Sequence, residues 1–135
     1  MRATACAAAL AAGLAACGQE EDYVNRERPA ASINVTAAII DGRIHVSPTR
    51  FGAGPIRLIV TNQTPTAQAV TIETGGNDPG ITRTSEEIPP SGTTTMEVDV
   101  PEGDYELSAR NEAIEPASLQ VGAPRPSAQD QLLQP

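Results

Sequence analysis

Apolar and polar residues alternate with a period of two along most of the chain from Ile33 to Val121. Successive side chains of a β-strand point to opposite faces, so this alternation predicts short strands that each bury one face. The alternating segments are residues 33–39, 44–46, 56–61, 70–73, 94–100, 105–109 and 117–121. No stretch between them has a helical period long enough to predict a helix.

Turn-forming residues separate these segments at intervals of about 8–12 residues, a spacing typical of β-sandwiches. Asp41-Gly42 lies between two alternating segments and predicts a tight hairpin. Pro48 predicts the end of the second strand, because proline cannot donate to a ladder. Further turns are predicted at residues 52–55, 62–66, 75–80, 89–92 and 101–104. Seven or eight strands in this arrangement predict an all-β fold, an antiparallel β-sandwich.

The first 16 residues have the layout of a secretory signal. Arg2 is followed by an uncharged, Ala-rich run that ends at Ala16. A basic residue before a short apolar run is typical of a signal peptide. The run is too short for a membrane-spanning helix, which needs about 20 apolar residues. We therefore predict that residues 1–16 are a signal peptide.

The end of this run, Leu14-Ala15-Ala16-Cys17, resembles the lipobox of bacterial lipoproteins. The resemblance implies cleavage between Ala16 and Cys17 and a diacylglycerol on the Cys17 thiol. Two or more acyl chains give stable membrane anchoring. The alternative is an ordinary Ala-rich leader in which Cys17 is incidental. The lipobox predicts a protein anchored to the cell membrane and facing outside the cytoplasm.

The segments that flank the strands are polar. Residues 17–31 contain almost no apolar side chains after Cys17, so they cannot bury enough surface to order themselves and predict a flexible tether. Residues 123–135 are Pro-rich and predict an extended tail. The apolar pair Leu132-Leu133 in this tail is a docking motif, a segment that folds back, or part of a frayed terminus. The sandwich domain is then predicted to span residues 32–122.

Composition excludes several classes of protein. The chain has 135 residues and a net charge of −8, with two Tyr, one Phe and no Trp. A negative field and few aromatic side chains argue against nucleic-acid binding. The chain has one His, and both Cys lie within the first 17 residues. A Cys/His zinc site or a disulfide scaffold is therefore not expected.

Catalytic groups are sparse. His45 lies between two apolar residues and is predicted to point to solvent from its strand; a general base would need partners that the sequence does not supply. The pairs Glu97/Asp99 and Asp104/Glu106 share outward faces, which fits either a weak calcium site or a solvated acidic edge. We expect no enzymatic activity and no metal.

Three stretches of the body resemble the cupredoxin family. They are GPIRLIVTN (residues 54–62), QAVTIE (68–73) and IPPSGTTTMEVDVPEGDYEL (88–107). The resemblance covers residues 33–122 and implies a Greek-key β-sandwich. An immunoglobulin-like strand order is the alternative, because its turns use similar residues.

The resemblance also implies where copper ligands would lie. Cupredoxins that carry copper hold it with two His, one Cys and usually an axial Met. In this register the ligand positions fall on Gln68, Ala109, Glu112 and, for the Met, Pro116 or Ala117. These residues are unsuited to a blue-copper site, so the resemblance implies the scaffold without the metal and no cofactor beyond the lipid.

The predicted function is a membrane-anchored binding or accessory module whose partner is an envelope protein or a small ligand. The loops at 62–68, 75–82 and 110–116 are expected to form one recognition end. The candidate recognition residues are Gln68, Arg83, Arg110, Asn111 and Glu112. The alternative is a metal or redox protein with a non-standard site built from His45, carboxylates and Gln68.

Overall fold

The computed structural model describes residues 28–76 and 80–127. The predicted signal peptide, Cys17, most of the predicted tether and the pair Leu132-Leu133 lie outside these residues. The described residues form eight strands. They are β1 (Ile33–Ile40), β2 (Arg43–Ser47), β3 (Arg50–Asn62), β4 (Val70–Thr74), β5 (Thr82–Thr84), β6 (Thr93–Val100), β7 (Gly103–Ala109) and β8 (Ala117–Pro124). The all-β prediction is confirmed.

The strands form two ladders that share β3. One ladder has the order β2-β1-β3-β6 and the other β3-β8-β7-β4-β5. Their inward residues form one core, as alternation predicted. The largest fully buried side chains are Ile39, Ile56, Leu58, Ile72, Ile88, Leu107 and Leu119. Full burial of such a side chain stabilises the fold by about 1.5–3 kcal/mol.

Strand β3 passes from one sheet to the other. Its first residues, Arg50–Gly52, pair with β8, and the register shifts between Gly52 and Ala53. From Gly54 onward β3 pairs with β6. The predicted turn at residues 52–55 is therefore wrong, because the chain bends here without reversing. A side chain is disfavoured at this bend, since a Cβ on Gly52 would lie 2.7 Å from Arg125 Cγ and 2.8 Å from Ala123 O.

The β-sandwich prediction is confirmed, but the pairing is mixed rather than wholly antiparallel. Strands β1 and β3 are parallel, and so are β3 and β8. Alternation determines which side chains face the core, but it is the same in both directions of a strand. The predicted Asp41-Gly42 hairpin forms as expected, and both residues have positive φ angles.

The sandwich has two ends, which we name by one residue each. At the Pro101 end, Gly103 of β7 pairs with Val121 of β8, and Gly75 N donates to Asp104 O at 2.7 Å. At the Gln68 end, Ala109 of β7 pairs with Val70 of β4. Strands rise about 3.3 Å per residue, so the six steps along β7 separate the ends by roughly 20 Å.

Candidate functional site

The Gln68 side chain points towards the core at the end of the sandwich that is named after it. It is 3% exposed, and its backbone is bridged to Ile88 by hydrogen bonds of 3.0 and 2.6 Å. Its Nε2 donates to Thr66 Oγ1 at 2.9 Å. The Oε1 atom has no hydrogen-bond partner among the described residues, and it is not sealed from solvent. The amide oxygen can therefore accept one more hydrogen bond at the surface of this end.

Asn62 holds the 62–68 loop in place. Its side chain is fully buried, and its Nδ2 donates to Thr66 O at 2.8 Å and Ile88 O at 3.0 Å. Its Oδ1 accepts from Thr64 N at 2.9 Å. A buried amide with all its hydrogen bonds made restricts the loop to one conformation. This role of Asn62 was not predicted, although the pattern Asn62-x-Thr64 is one that favours such local side-chain turns.

The 110–116 loop reaches the same end. Arg110 N donates to Ala69 O at 2.8 Å, which places residue 110 next to the strand that follows Gln68. The Arg110 side chain pairs with Glu87 at 2.8 Å, with both side chains more than half exposed. An exposed pair contributes little to stability, about 0–1 kcal/mol. Both charges therefore remain available to a partner.

Asn111 and Glu112 have different roles in this loop. Asn111 Oδ1 accepts from Ala113 N at 3.0 Å, and Asn111 O accepts from Ile114 N at 3.0 Å. Asn111 thus shapes a turn that buries Ile114 in the core. The Glu112 side chain is exposed. Of the two residues, Glu112 is the one whose side chain is presented to solvent without such an internal role.

Arg83 does not join this end. It lies in β5 opposite Ile72, and its Nη1 donates to Thr82 O at 3.0 Å. The 75–82 loop begins at the Pro101 end, where Gly75 bonds Asp104; its residues 77–79 lie outside the described residues. The prediction that all three loops share one end is therefore wrong. Antiparallel β4 carries the chain away from Gln68 before that loop starts.

The residues at the expected copper positions do not fit copper. Gln68 and Ala109 are brought close through the Val70–Ala109 pair, but one offers a neutral amide and the other a methyl group. Blue-copper chemistry needs a thiolate and two imidazoles. His45 lies on β2 opposite Ala38 and is exposed, as predicted. Within residues 28–76 and 80–127, no group of three or more His, Cys, Asp or Glu is placed to hold a metal ion.

A shallow depression beside His45 has no catalytic arrangement. Its volume is about 340 Å³, and it lies over β1, β2 and the end of β3. Its lining residues are Thr36, Ala37, Ala38, His45, Val46, Ser47, Thr61 and Gln63. The imidazole is the one titratable group among them, so it has no acid or base partner there.

No family model matches the chain, and no curated protein matches it either. Among solved structures, auracyanin B superposes with a TM-score of 0.53 at 14% identity, over 71% of this chain and 91% of that one. The chain has a cupredoxin-like fold. The cupredoxin-like order of strands thus replaces the immunoglobulin-like alternative.

Two further structures are similar to this cupredoxin-like chain. Reduced auracyanin from the photosynthetic bacterium Roseiflexus castenholzii has a TM-score of 0.49 at 14% identity, over 69% of this chain and 98% of that one. A reduced Cu(I) form of an amicyanin mutant has a TM-score of 0.47 at 13% identity, over 72% of this chain and 94% of that one.

None of the described residues forms a helix long and apolar enough to cross a membrane.

Proposed function

We propose that this protein is a lipid-anchored, extracytoplasmic binding or accessory module built on a metal-free cupredoxin-like sandwich. The observation that supports the loss of copper is Ala109. It stands at the expected thiolate position, on the β7 residue paired with Val70, and its methyl group has no donor atom. A blue-copper site without a thiolate has no means of reaching its characteristic electronic state. No enzymatic activity belongs to this proposal.

The lipobox-like sequence Leu14 to Cys17 supports the anchor. The Cys17 thiol receives diacylglycerol, and cleavage after Ala16 frees the Cys17 amine for a further acyl chain. A Cys17→Ala variant is expected to leave the membrane fraction, whereas Cys6→Ala is its matched control and is expected to stay there. Equal membrane recovery of the two variants contradicts lipidation at Cys17.

The binding surface proposed for this module is the Gln68 end. It combines the free Oε1 acceptor of Gln68, the exposed Arg110–Glu87 pair and the exposed carboxylate of Glu112. A fixed amide and paired charges of both signs suit a polar partner surface that meets them with its own hydrogen bonds. The partner is an envelope protein or a small polar ligand.

Cross-linking in the native cells tests the surface. A photoreactive residue replaces Ala67, which is exposed at the Gln68 end, or Ala123, which is exposed at the Pro101 end. A partner captured reproducibly from position 67, but not from 123, is the expected result. The capture is expected to weaken when Arg110→Ala and Glu112→Ala are combined. Equal capture from both positions contradicts this placement.

A copper titration separates this proposal from a metal or redox function. The chain from Gly18 onward, expressed without its leader, is expected to take up no copper near micromolar concentration. The non-standard site considered above would use His45, so stoichiometric uptake that His45→Ala abolishes contradicts the metal-free proposal. The second readout is the absorption spectrum of the protein, recorded while it is oxidised and reduced with an added mediator.

A further inference from the structure

Arg125 fastens the segment before β1 to the Pro101 end. Its Nη1 donates to Ala31 O at 2.8 Å, its Nη2 to Pro55 O at 2.6 Å and its Nε to Ala53 O at 3.2 Å. The guanidinium group thus uses its fork of donors on three carbonyl groups from two parts of the chain. Its backbone N adds a bond to Ala53 O at 3.0 Å. Residue 31 is therefore held beside the bend of β3.

Ser127 makes a second connection between the two terminal segments. Its Oγ donates to Arg28 O at 2.7 Å, and Ser127 is 7% exposed. The last four residues of the predicted tether and the first of the predicted tail thus pack against the sandwich. Strand β8 also runs two residues past the predicted domain boundary, to Pro124.

Both terminal segments therefore leave the sandwich at the Pro101 end. Strand β1 starts there as well, because Ile33 pairs with Ile56, close to Pro55. The chain then runs along β1 towards Asn62, which pairs with Ile39. The seven steps from Pro55 to Asn62 correspond to roughly 23 Å at about 3.3 Å per residue.

We propose that the anchored domain stands with its Pro101 end towards the membrane and presents its Gln68 end to the aqueous phase. A partner that binds the Gln68 end is then contacted in the aqueous phase, away from the lipid. This orientation presupposes the anchor at Cys17 proposed above, and it adds which surface that anchor leaves free. It also places the start of the C-terminal tail on the membrane side.

The length of the connection supports a defined orientation. Only residues 18–27 separate Cys17 from Arg28. These residues belong to the predicted tether and lie outside the described residues; a coil of 11 steps would average about 18 Å, comparable with the distance between the two ends. The sandwich cannot enter the bilayer, so rotation about Arg28 is limited to the aqueous side. Averaged over these rotations, the Gln68 end lies further from the lipid than the Pro101 end.

Energy transfer to the membrane tests this orientation. Four alanines that are exposed in the structure are replaced singly by cysteine and labelled with a donor dye: Ala31 and Ala123 at the Pro101 end, Ala67 and Ala113 at the Gln68 end. The lipidated protein is added to phosphatidylcholine vesicles that carry an acceptor-labelled lipid. Transfer is expected to be several-fold more efficient from positions 31 and 123 than from 67 and 113.

The outcomes separate the orientation from the anchor. Equal transfer from all four positions, or stronger transfer from 67 and 113, overturns the orientation while the anchor stands. A parent protein that fails to bind the vesicles overturns the anchor and the orientation together. Two positions at each end keep the comparison valid if one variant does not fold. The chain from Gly18 onward, labelled at Ala67, gives the background transfer without an anchor.

Discussion

Asn62→Ala is expected to destabilise the fold by about 3 kcal/mol, through loss of the hydrogen bonds that position the loop before Gln68. Three well-formed bonds disappear, to Thr66 O, Ile88 O and from Thr64 N. Each net bond contributes about 0.5–1.5 kcal/mol, and an unsatisfied buried group costs about 1–3 kcal/mol.

The hydrogen bonds that remain in the Asn62→Ala variant limit the expected loss of stability to about 3 kcal/mol. Ile88 O still accepts from Gln68 N at 3.0 Å in the variant, so it keeps one partner. Thr64 N has no second partner among the bonds of the described residues and is left unsatisfied. The Thr64 hydroxyl lies 2.7 Å from Asn62 Oδ1 and 2.9 Å from Thr66 O, and its one hydrogen serves either. We therefore do not count that contact as a lost bond.

Urea and thermal unfolding of the chain from Gly18 onward measure the effect. A loss of about 3 kcal/mol in a domain of this size corresponds to a fall in Tm of roughly 12–24 °C. Asn34→Ala is the matched control, because Asn34 is exposed on β1, and its effect is expected to stay within about 0.5 kcal/mol. If Asn62→Ala unfolds within 1 kcal/mol of the parent, the Asn62 side chain does not hold this loop.

Three further substitutions test other contacts. Burial raises the pKa of Tyr105 above its usual value of 10.0, and Asp99 adds to the rise. The contribution of the neutral Tyr105 hydroxyl to stability is complete below pH 10 and is lost as pH rises through the folded-state pKa. Tyr105→Phe is expected to remove this loss of stability at alkaline pH. It also removes the hydrogen bond to Pro101 O, at a cost of about 1 kcal/mol at neutral pH. A parent and variant with parallel pH profiles from 9 to 12 would refute it. Glu73 and Glu106 lie directly opposite each other on β4 and β7, so Glu106→Lys is expected to raise the free energy of unfolding by about 0.5–1 kcal/mol in low salt, and less in high salt. Glu102→Lys is the control, because it changes the net charge equally without this cross-strand partner. An equal gain in the free energy of unfolding for Glu102→Lys would attribute the gain to net charge. Gly52→Ala brings a Cβ to 2.7 Å from Arg125 Cγ and 2.8 Å from Ala123 O, and is expected to cost about 1–3 kcal/mol. Gly122→Ala, whose Cβ meets nothing closer than 3.9 Å, is its control, and equal unfolding midpoints would contradict a tight bend at Gly52.

Much of the sandwich follows from local pattern. The inward residues of β1, β3 and β7 alternate in the sequence, so their burial could be predicted without knowing which strands pair. The Asp41-Gly42 hairpin depends on two adjacent residues that accept positive φ angles, and this too is a local property. The segments 54–62 and 88–107 resemble cupredoxins, and the superposition on auracyanin B confirms the cupredoxin-like fold that this resemblance implies.

The candidate site is only partly local. Gln68 and Arg110 lie at the same end because β4 and β7 pair in one register, and nothing near either residue in the sequence indicates that register. The prediction that Arg83 and the loop after Thr74 lie at the same end is wrong, because β4 carries the chain to the opposite end at about 3.3 Å per residue. To predict at which end of the sandwich a loop lies, the number of strands that precede it must be known.

Residue type and short spacing are enough to predict the strand class and the buried faces. They also underlie the lipobox-like resemblance at Cys17 and the expectation that Gln68 and Ala109 bind no copper. The bend of β3 at Gly52, by which this strand joins both sheets, and its parallel pairing with β1 and β8 are visible only in the three-dimensional fold. It also joined Arg125 to Ala31, which are 94 residues apart. Such contacts depend on the direction and register of distant strands, and alternation is unchanged when a strand is reversed.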